Sequence, residues 1–287
     1  MTLHEIPLER RTLHGHFSRD LDPILTVEPG DSIAFSTLNA GWHLTDEERF
    51  EPWDAELDAG HALIGPVEVR GARAGQALVV QVDDVQPAGW GVTFGHSTKV
   101  LWRYDAARAE WVDDRGRRVA AAPFLGVLGL PPETPGRHST APPRSCGGNI
   151  DCRELVAGAT LYLPISVDGA LFSAGDGHGA QGDGEVSGTA IECPLERAQL
   201  TLDVLELELR SPVARVPGAW LAFGFDEDLD VAAETATATM LDLFERELGL
   251  ERSYALALSS IAVDLRVTQI VNGAKGVHAV LRDDAIR

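Results

Sequence analysis

The chain has 287 residues, of which 44% are hydrophobic and 24% are charged, so it has the composition of a folded globular protein with a sizeable core. Its 44 acidic residues outnumber the 24 basic ones and give a formal net charge of −20. A surface this acidic repels nucleic-acid backbones and anionic membranes, so we predict neither as a partner. Neutral or cationic small molecules are the expected ligands.

The cysteine count and the lack of long apolar runs indicate a cytoplasmic protein. Cys146, Cys152 and Cys193 are an odd number without a C-x-x-C pair, which fits packed thiols in a reducing compartment better than a disulfide scaffold. The first residues lack the apolar core of a signal peptide, and the sequence has no run of about 18 apolar residues that could span a bilayer. We therefore predict a soluble, cytoplasmic protein.

The N-terminal third of the chain has the pattern of antiparallel β-structure. Residues 25–35 (LTVEPGDSIAF) and 67–85 (VEVRGARAGQALVVQVDDV) each join two apolar-alternating segments through a glycine turn, which predicts two hairpins. Because almost no helical period separates them, the pattern favours an antiparallel sandwich or a barrel-like fold. We assign residues 1–145 to a β-rich part with long loops.

One of these loops, residues 41–66, has no clean period but carries His43 and His61. Loops of this length within compact domains are typically lids or binding segments when they are ordered. His61 lies four residues before Gly65, and the proline that follows restricts the backbone. We therefore predict that this loop contributes to a functional site.

The remaining part, residues 146–287, is expected to form one compact unit with the first. It opens with CGGNIDCRELVAG, in which Asn149 and Asp151 are two residues apart after a Gly-Gly pair. Asp151 suits a ligand and a cap of the following turn or short helix equally well. The next segment, TLYLPISVDGALFSAGDGH, predicts a strand, an Asp-Gly turn and a second strand.

That second strand leads into residues 175–192, GDGHGAQGDGEVSGTAIE, which are dense in acids and glycine. Glycine permits positive φ angles and a close approach of the backbone to a bound group. Where the chain is extended, residues two apart share a face, so Asp176 pairs with His178, and Asp183 with Glu185. Carboxylates and an imidazole can hold a divalent metal or deprotonate a water. The alternative is an acidic, solvated turn.

The C-terminal portion predicts mixed α+β structure. Residues 200–209, LTLDVLELEL, alternate as a strand with one solvated face. Apolar residues at three- and four-residue steps from Leu229 to Leu248, closed by Gly249, predict an amphipathic helix. A shorter helix from Glu251 to about Ser260 and a hairpin that turns at Asn272-Gly273 are predicted to follow.

Several common catalytic signatures are missing, among them G-x-x-x-x-G-K-[ST], H-E-x-x-H, G-x-S-x-G and the EF-hand loop. Residues 147–192, from GGNIDC to GTAIE, resemble the central signature of the acetamidase/formamidase family. HALIGPVEVRGARAGQALVVQV is similar to the family's first hairpin region, and VTQIVNGAKGVHAVL to its C-terminal segment. The resemblance thus extends over nearly the whole chain, although GWHLTDEERF and GVTFGHSTKV, with His96, depart from many members.

This resemblance implies a β-rich fold with an α+β portion, and hydrolysis of short-chain carboxamides to carboxylate and ammonia. It also implies a bound divalent metal, zinc or calcium, and a homodimer or higher homo-oligomer. The family's polar positions fall on the clusters described above, and the matching residues are given provisional roles. The expected roles are metal ligand for Asp151, Asp176 and His178, catalytic proton transfer for Glu185 or Glu192, and substrate binding for His61, Asn149 and Asp183.

Three alternatives accompany this expectation. A covalent route through one of the cysteines would need a nearby base to form the thiolate. A calcium-stabilised β-sandwich without catalysis would bind its metal through oxygen atoms alone. A lactamase would use the same chemistry on a cyclic amide and would differ in the shape of its pocket.

Overall fold

The computed structural model describes residues 1–286, which contain nineteen β-strands and two α-helices. The two helices are consecutive and lie between the seventeenth and eighteenth strands of the chain. A single 3₁₀ turn lies at Arg10–Thr12. In chain order the elements are β1 (Leu3–Ile6), β2 (Leu13–His14), β3 (Leu25–Val27), β4 (Asp31–Phe35), β5 (Leu63–Val69), β6 (Ala77–Pro87), β7 (Trp90–Gly95), β8 (Thr98–Asp105), β9 (Glu110–Asp113), β10 (Arg118–Ala120), β11 (Phe124–Gly129), β12 (Gly147–Asn149), β13 (Thr160–Pro164), β14 (Phe172–His178), β15 (Leu195–Leu205), β16 (Val213–Val216), β17 (Ala219–Asp226), α1 (Leu229–Leu248), α2 (Arg252–Ala262), β18 (Val263–Gln269) and β19 (Lys275–Arg282).

The strands form two large sheets and one small sheet. The nine-stranded sheet has the order β1-β4-β15-β6-β13-β16-β17-β19-β18, and the six-stranded sheet has the order β12-β11-β14-β5-β2 with β3 beside β5. Strands β10-β9-β8-β7 make the four-stranded sheet. All pairs are antiparallel except β1 with β4 and β3 with β5. One apolar cluster joins Val80 and Leu200 of the first sheet to Ile64 and Leu128 of the second, so the predicted β-rich, antiparallel, sandwich-like class is confirmed.

The two predicted N-terminal hairpins contain the expected strands, but the expected pairing was wrong. β3 belongs to the six-stranded sheet and β4 to the nine-stranded sheet, and β5 and β6 are divided in the same way. Each glycine turn therefore carries the chain from one layer to the other. Alternation shows which side chains are buried, but either layer of a sandwich can bury them, so it does not select the neighbouring strand.

The strand predicted at residues 200–209 is shifted along the chain. β15 runs from Leu195 to Leu205, so it begins five residues earlier and ends four residues earlier than the pattern suggested. Its partner β6 begins at Ala77, which pairs with Leu205, so residues beyond that point have no backbone partner in β6. The apolar-polar alternation continues past the end of the sheet, where it no longer reports a strand.

The C-terminal α+β portion is confirmed. The Asp228 side chain accepts a hydrogen bond from the backbone N–H of Asp230 at the start of α1, and Gly249 ends the helix with a φ of 64°. One face of α1, including Ala236 and Met240, packs on β17 and β19, and β18 pairs with β19 as the predicted hairpin. Neither helix in residues 1–286 is both long and apolar enough to cross a membrane.

Strands from both sides of residue 145 share the two large sheets. β13 pairs with β6, and β14 lies between β5 and β11. The division into residues 1–145 and 146–287 stays a prediction. The interleaving matters for function because it brings the central motif against strands from the first part.

Candidate active site

The motif glycines belong to a buried strand. β14 is buried over its whole length, and Gly175 and Gly177 do not have positive φ angles. A Cβ at Gly175 would collide with the carbonyl oxygen of Ala62, and a Cβ at Gly177 with the carbonyl oxygen of Cys193. Here glycine is needed for the close approach of neighbouring backbone, and not for a positive φ angle or for the approach of a bound group.

Asp176 and His178 lie on the same face of β14, as their spacing predicts. Nε2 of His178 is 3.4 Å from Oδ2 of Asp176 and 3.4 Å from Oε2 of Glu192. On the other side of the ring, Nδ1 is 2.8 Å from Oε1 of Gln181. The Gln181 amide nitrogen donates to the carbonyl oxygen of Asp151 at 2.8 Å, so its oxygen accepts from Nδ1 and Nε2 is left facing the two carboxylates.

Two further segments bring glutamates to this histidine. Glu192 forms isolated β-bridges with His178 and with Val92 of β7, and its Oε1 accepts a hydrogen bond from the backbone N–H of Ala190 at 2.8 Å. Its other oxygen therefore faces His178. Glu185 enters from the turn after β14, and one carboxylate oxygen lies within 4.8 Å of His178 and Asp151 ligand atoms.

Three of the clustered acids have backbone conformations in the left-handed region, with φ angles of 52° at Asp151, 61° at Asp176 and 46° at Glu185. For residues other than glycine, such conformations cost about 1–3 kcal/mol each and persist only where the surrounding structure imposes them. Their concentration in one small group of acids indicates that the fold holds these carboxylates in place at the expense of local stability.

Asp151 lies behind His178 and not in the cavity lining. Its backbone N–H donates to the carbonyl oxygen of Gly126 at 3.2 Å, and its Oδ2 accepts a hydrogen bond from the side-chain amide of Asn272. Oδ1 is 3.9 Å from Nδ1 of His178. The structure shows no capping hydrogen bond from this side chain, so of its two predicted roles the local cap is not the one observed.

Asp176, His178, Glu185 and Glu192 line a cavity of about 250 Å³. Asn149, at the end of β12, adds a buried side-chain amide to the same lining. Loop 41–66 supplies part of the wall, as predicted, through residues that include His43 and His61. The cavity is therefore assembled from strands of two sheets and from the long loop.

His61 is held by a single threonine. Both its backbone N–H, at 2.8 Å, and its Nδ1, at 2.7 Å, contact Oγ1 of Thr140. Thr140 is fully buried. Residues 131–143, a proline-rich segment that includes Thr140, thus anchor one wall of the cavity.

Burial and mutual repulsion control the charges of the acids. Burial raises the pKa of Glu185 to about 7, although the His178 charge opposes the change, and Glu192 and Asp176 add to it. Burial also raises the pKa of Glu192. Burial and the nearby Glu185 charge together raise the pKa of Asp151 well above its usual range. Burial and mutual repulsion therefore favour the protonated form of these carboxyls.

Asp176 and His178 form the charged pair within this group. Burial opposes ionisation of Asp176, but the adjacent His178 and His61 outweigh it, and its pKa is lowered. Burial likewise disfavours the imidazolium, but Glu192 and Asp176 outweigh it and raise the pKa of His178 well above 6.5. A metal cation bound at Nε2 would take the place of that proton.

Buried oxygen atoms without hydrogen-bond partners surround this pair. Among residues 1–286, such atoms in the cluster are Oδ1 of Asn149, Oδ1 of Asp151, Oδ1 of Asp176, Oε2 of Glu185 and Oε2 of Glu192. Buried polar groups are nearly always satisfied, so five unpaired oxygens in one place indicate a missing partner that accepts their lone pairs. A cation meets that requirement.

A glycine keeps room for this partner. A Cβ at Gly126 of β11 would lie 2.5 Å from Oδ2 of Asp176, 2.7 Å from Oδ1 of Asp151 and 3.0 Å from Cε1 of His178. Sequence reasoning missed Gly126, as well as Gln181 and the amide role of Asn272. Gly126 is a glycine inside the apolar run FLGVLG of residues 124–129, and this was the available signal of a close approach.

The structure thus brings together seven of the eight predicted site residues, either in the cavity lining or directly behind it. They are His61, Asn149, Asp151, Asp176, His178, Glu185 and Glu192. Asp183 is not in the cavity lining; its carboxylate pairs with the guanidinium of Arg266 at 2.5 Å. The period-two spacing predicted that Asp183 and Glu185 share a face. They do not, because the backbone turns between them at Gly184, which has a φ of 89°.

The three thiols are free and buried, and none of them lines the cavity. Burial raises the pKa of Cys146, of Cys152 and of Cys193. Neutral thiols outside the cavity do not favour the covalent route.

The fold and the cavity define a β-sandwich protein with a buried centre of acids and one imidazole, at which a metal could bind. Comparison with known proteins gives the family. The model of the acetamidase/formamidase family matches residues 3–135 and 133–211, which is more than half of the chain. The chain therefore belongs to the acetamidase/formamidase family.

Individual relatives agree with this assignment. An acetamidase of Mycolicibacterium smegmatis is 23% identical over 248 residues, in an alignment that covers 61% of this chain and 61% of that protein. The crystal structure of an acetamidase from Bacillus halodurans superposes with a TM-score of 0.85 at 28% identity, covering 96% of this chain and 97% of that one. A recombinant predicted acetamidase/formamidase from Thermoanaerobacter tengcongensis gives 0.87 at 25% identity, covering 98% and 96%.

Proposed function

We propose that this protein is an amidohydrolase that cleaves short-chain carboxamides, such as formamide and acetamide, to carboxylate and ammonia. The observation that carries the proposal is the buried group of His178 and three acids at the wall of a small cavity. Pockets for drug-sized ligands measure about 300–1,000 Å³, so a cavity of about 250 Å³ suits a substrate of few heavy atoms. Family membership supports the same reaction class.

We assign the metal to His178, Asp176 and Glu192. Their ligand atoms lie within 4.8 Å of one another, and Asp176 and Glu192 each offer an unpaired buried oxygen. Zinc binds both imidazole nitrogen and carboxylate oxygen, whereas calcium is bound by oxygens, so we propose zinc. When bound, the metal would polarise the amide carbonyl and lower the pKa of a water.

This assignment modifies the ligand set expected from the resemblance, which had Asp151 where we place Glu192. Asp151 faces Nδ1 of His178, and that nitrogen is already hydrogen-bonded to Gln181. We propose that Gln181 orients the imidazole, as the partners of metal-bound histidines commonly do. Asp151 then supports the ring and holds the Gln181 amide through its backbone carbonyl.

Glu185 is the proposed base and acid. Burial raises its pKa towards the neutral range, which suits a carboxyl that takes a proton from the attacking water and gives it to the leaving nitrogen. It lines the cavity, and its Oε2 has no other partner. Such proton transfer contributes typically about 10²–10⁴-fold to the rate.

Asn149 and His61 are the proposed substrate-binding residues. Asn149 presents an amide group in the cavity, which can donate to a carbonyl oxygen or accept from an amide nitrogen. His61, which lies just before β5, is fixed by its contact with Thr140. Both place polar side-chain atoms at the cavity wall, where they can hydrogen-bond to an amide substrate.

The test is ammonia release from formamide and acetamide by Glu185→Gln and by Asp183→Asn. The first variant should lose at least ~10²-fold in kcat while it keeps its metal content, because a neutral amide cannot transfer the proton. The second is the matched control: it changes an acid two residues away that lies outside the cavity lining, and it should stay within a few fold of the wild type. Full turnover in Glu185→Gln would refute its role.

Two outcomes would favour the alternatives. If chelation lowers the melting temperature but no linear or cyclic amide is consumed, the protein is a metal-stabilised binding protein. If lactams are opened while formamide and acetamide are not, it is a lactamase. A cytoplasmic location and a homo-oligomeric state remain predictions, which fractionation and light scattering would test.

A further inference from the structure

A second group of potential ligands lies outside the cavity lining. Cys152, Glu154 and His278 offer atoms within 4.8 Å of one another. Sγ of Cys152 is 3.2 Å from Oε2 of Glu154, and Nε2 of His278 is 3.8 Å from the same oxygen. Cys152 and His278 are fully buried, and the Glu154 side chain is 20% exposed. The three side chains therefore converge on one point, where Glu154 is partly exposed to solvent.

His278 points an unsatisfied atom into this group. Its Nδ1 contacts Oγ1 of Thr268 at 2.7 Å, which fixes the ring, while the buried Nε2 has no hydrogen-bond partner. Buried ring nitrogens are normally paired, so the free Nε2 requires an explanation. In metal-binding histidines, too, a hydrogen-bond partner at one ring nitrogen orients the ring and leaves the other nitrogen for the metal.

We propose that Cys152, Glu154 and His278 form a second metal site that takes a zinc-type divalent cation. Bond lengths of about 2.3 Å to sulfur and about 2.0–2.2 Å to nitrogen and oxygen place tetrahedral ligand atoms roughly 3.5 Å apart. The observed separations of 3.2 Å and 3.8 Å bracket that spacing. Thiolate and imidazole ligands favour zinc over magnesium or calcium.

The charges balance when the cation enters. The Cys152 thiol loses its proton to solvent, and the thiolate, the Glu154 carboxylate and a neutral imidazole then offset a charge of 2+. Arg266 binds the other oxygen of Glu154 and also binds Asp183. The charges of Arg266 and Asp183 cancel, so they leave the charge balance of the site unchanged. With three protein ligands and an exposed side at Glu154, water would complete the coordination.

The position of the site indicates its role. Cys152 and Glu154 follow β12, whereas His278 lies on β19, in the hairpin whose turn carries Asn272. A cation held here would tie that hairpin to the segment that holds Asp151, and Asn272 itself bonds to Asp151. The second site would thereby stabilise the position of one wall of the first.

Cobalt(II) is the probe, because a cysteine thiolate bound to it gives a charge-transfer band in the near ultraviolet. The centre proposed at His178 contains no sulfur ligand, so this band reports the second site alone. We expect the metal-free wild type to gain the band by the time it is saturated with cobalt, with an intensity that corresponds to one of the equivalents bound. Cys152→Ser should lose it and bind one equivalent fewer, and Cys146→Ser, a change of another buried cysteine, should keep it.

A second variant guards against misfolding. His278→Gln should weaken the cobalt binding that produces the band by at least ~10-fold, with circular dichroism confirming a folded chain. A wild type saturated with cobalt but without the band would overturn the proposal, and so would a band of full strength in Cys152→Ser. Because neither result depends on amide hydrolysis, the second site and the proposed function can fail separately.

Discussion

Replacement of Gly126 by alanine tests whether the acids and the imidazole work as one positioned group. The added Cβ would lie 2.5 Å from Oδ2 of Asp176 and 2.7 Å from Oδ1 of Asp151. Gly126 has no positive φ, so the backbone itself accepts alanine without strain. The perturbation is therefore a steric displacement of the two carboxylates.

The size of the effect follows from these distances. Normal contact between nonbonded heavy atoms is about 3.5 Å, so the Asp176 oxygen must retreat by roughly 1 Å. A misplacement of about 1 Å in an active site can cost ~10²-fold in rate, or about 2.7 kcal/mol in the activation barrier. Overpacking of a buried site costs typically about 1–3 kcal/mol in unfolding free energy. We expect both losses in Gly126→Ala.

The assay is ammonia release from acetamide, with metal content and urea unfolding measured on the same samples. Gly182→Ala is the matched control, because a Cβ there meets nothing within 4 Å and that glycine also lacks a positive φ. We expect the control to match the wild type. The reasoning is refuted if Gly126→Ala and Gly182→Ala release ammonia at the same rate. It is also refuted if the fraction of unfolded protein in Gly126→Ala accounts for all of the lost rate.

Three further outcomes are expected. A chelator should abolish ammonia release and lower the melting temperature, because it leaves the buried carboxylates of the cluster repelling one another; an unchanged rate after verified metal removal would contradict this. Burial lowers the pKa of His14 to about 4 from 6.5, so its contribution to stability is complete above pH 6.5 and is lost as the pH falls towards 4. At about 1.36 kcal/mol per pKa unit, the free energy of unfolding should fall by about 3 kcal/mol over this pH range. Urea unfolding at several pH values should show a smaller fall in His14→Gln than in the wild type. Iodoacetamide should leave the native protein active, because Cys146, Cys152 and Cys193 are buried; rapid inactivation would reopen the covalent route.

Much of the site was accessible to sequence reasoning because its residues cluster in the chain. The spacing of Asp176 and His178 predicted a shared face, and the structure places both in the cavity lining. The same rule failed for Asp183 because Gly184 turns the backbone and Arg266, 83 residues away, binds its carboxylate. A period-two pattern holds only while the chain stays extended, and the sequence did not show where the extension ends.

The long-range parts of the site could not be predicted in this way. Gly126 and Asn272 are distant in sequence from the residues that they serve, and each acts through a contact made only in the folded chain. The pKa of Glu185 is likewise set mainly by burial among other acids. No neighbouring residue in the sequence reports that burial.

The sequence by itself determined the class of the fold, the bounds of α1 and the terminal hairpin, since side-chain period, caps and turn residues act between near neighbours. Tertiary structure alone decided which strands pair, as β3 and β4 show by entering different sheets. It also decided which acids share a cavity and which carry a proton. Strand partners and charge states depend on packing and desolvation between distant segments, and these quantities exist only once the layers have closed on one another.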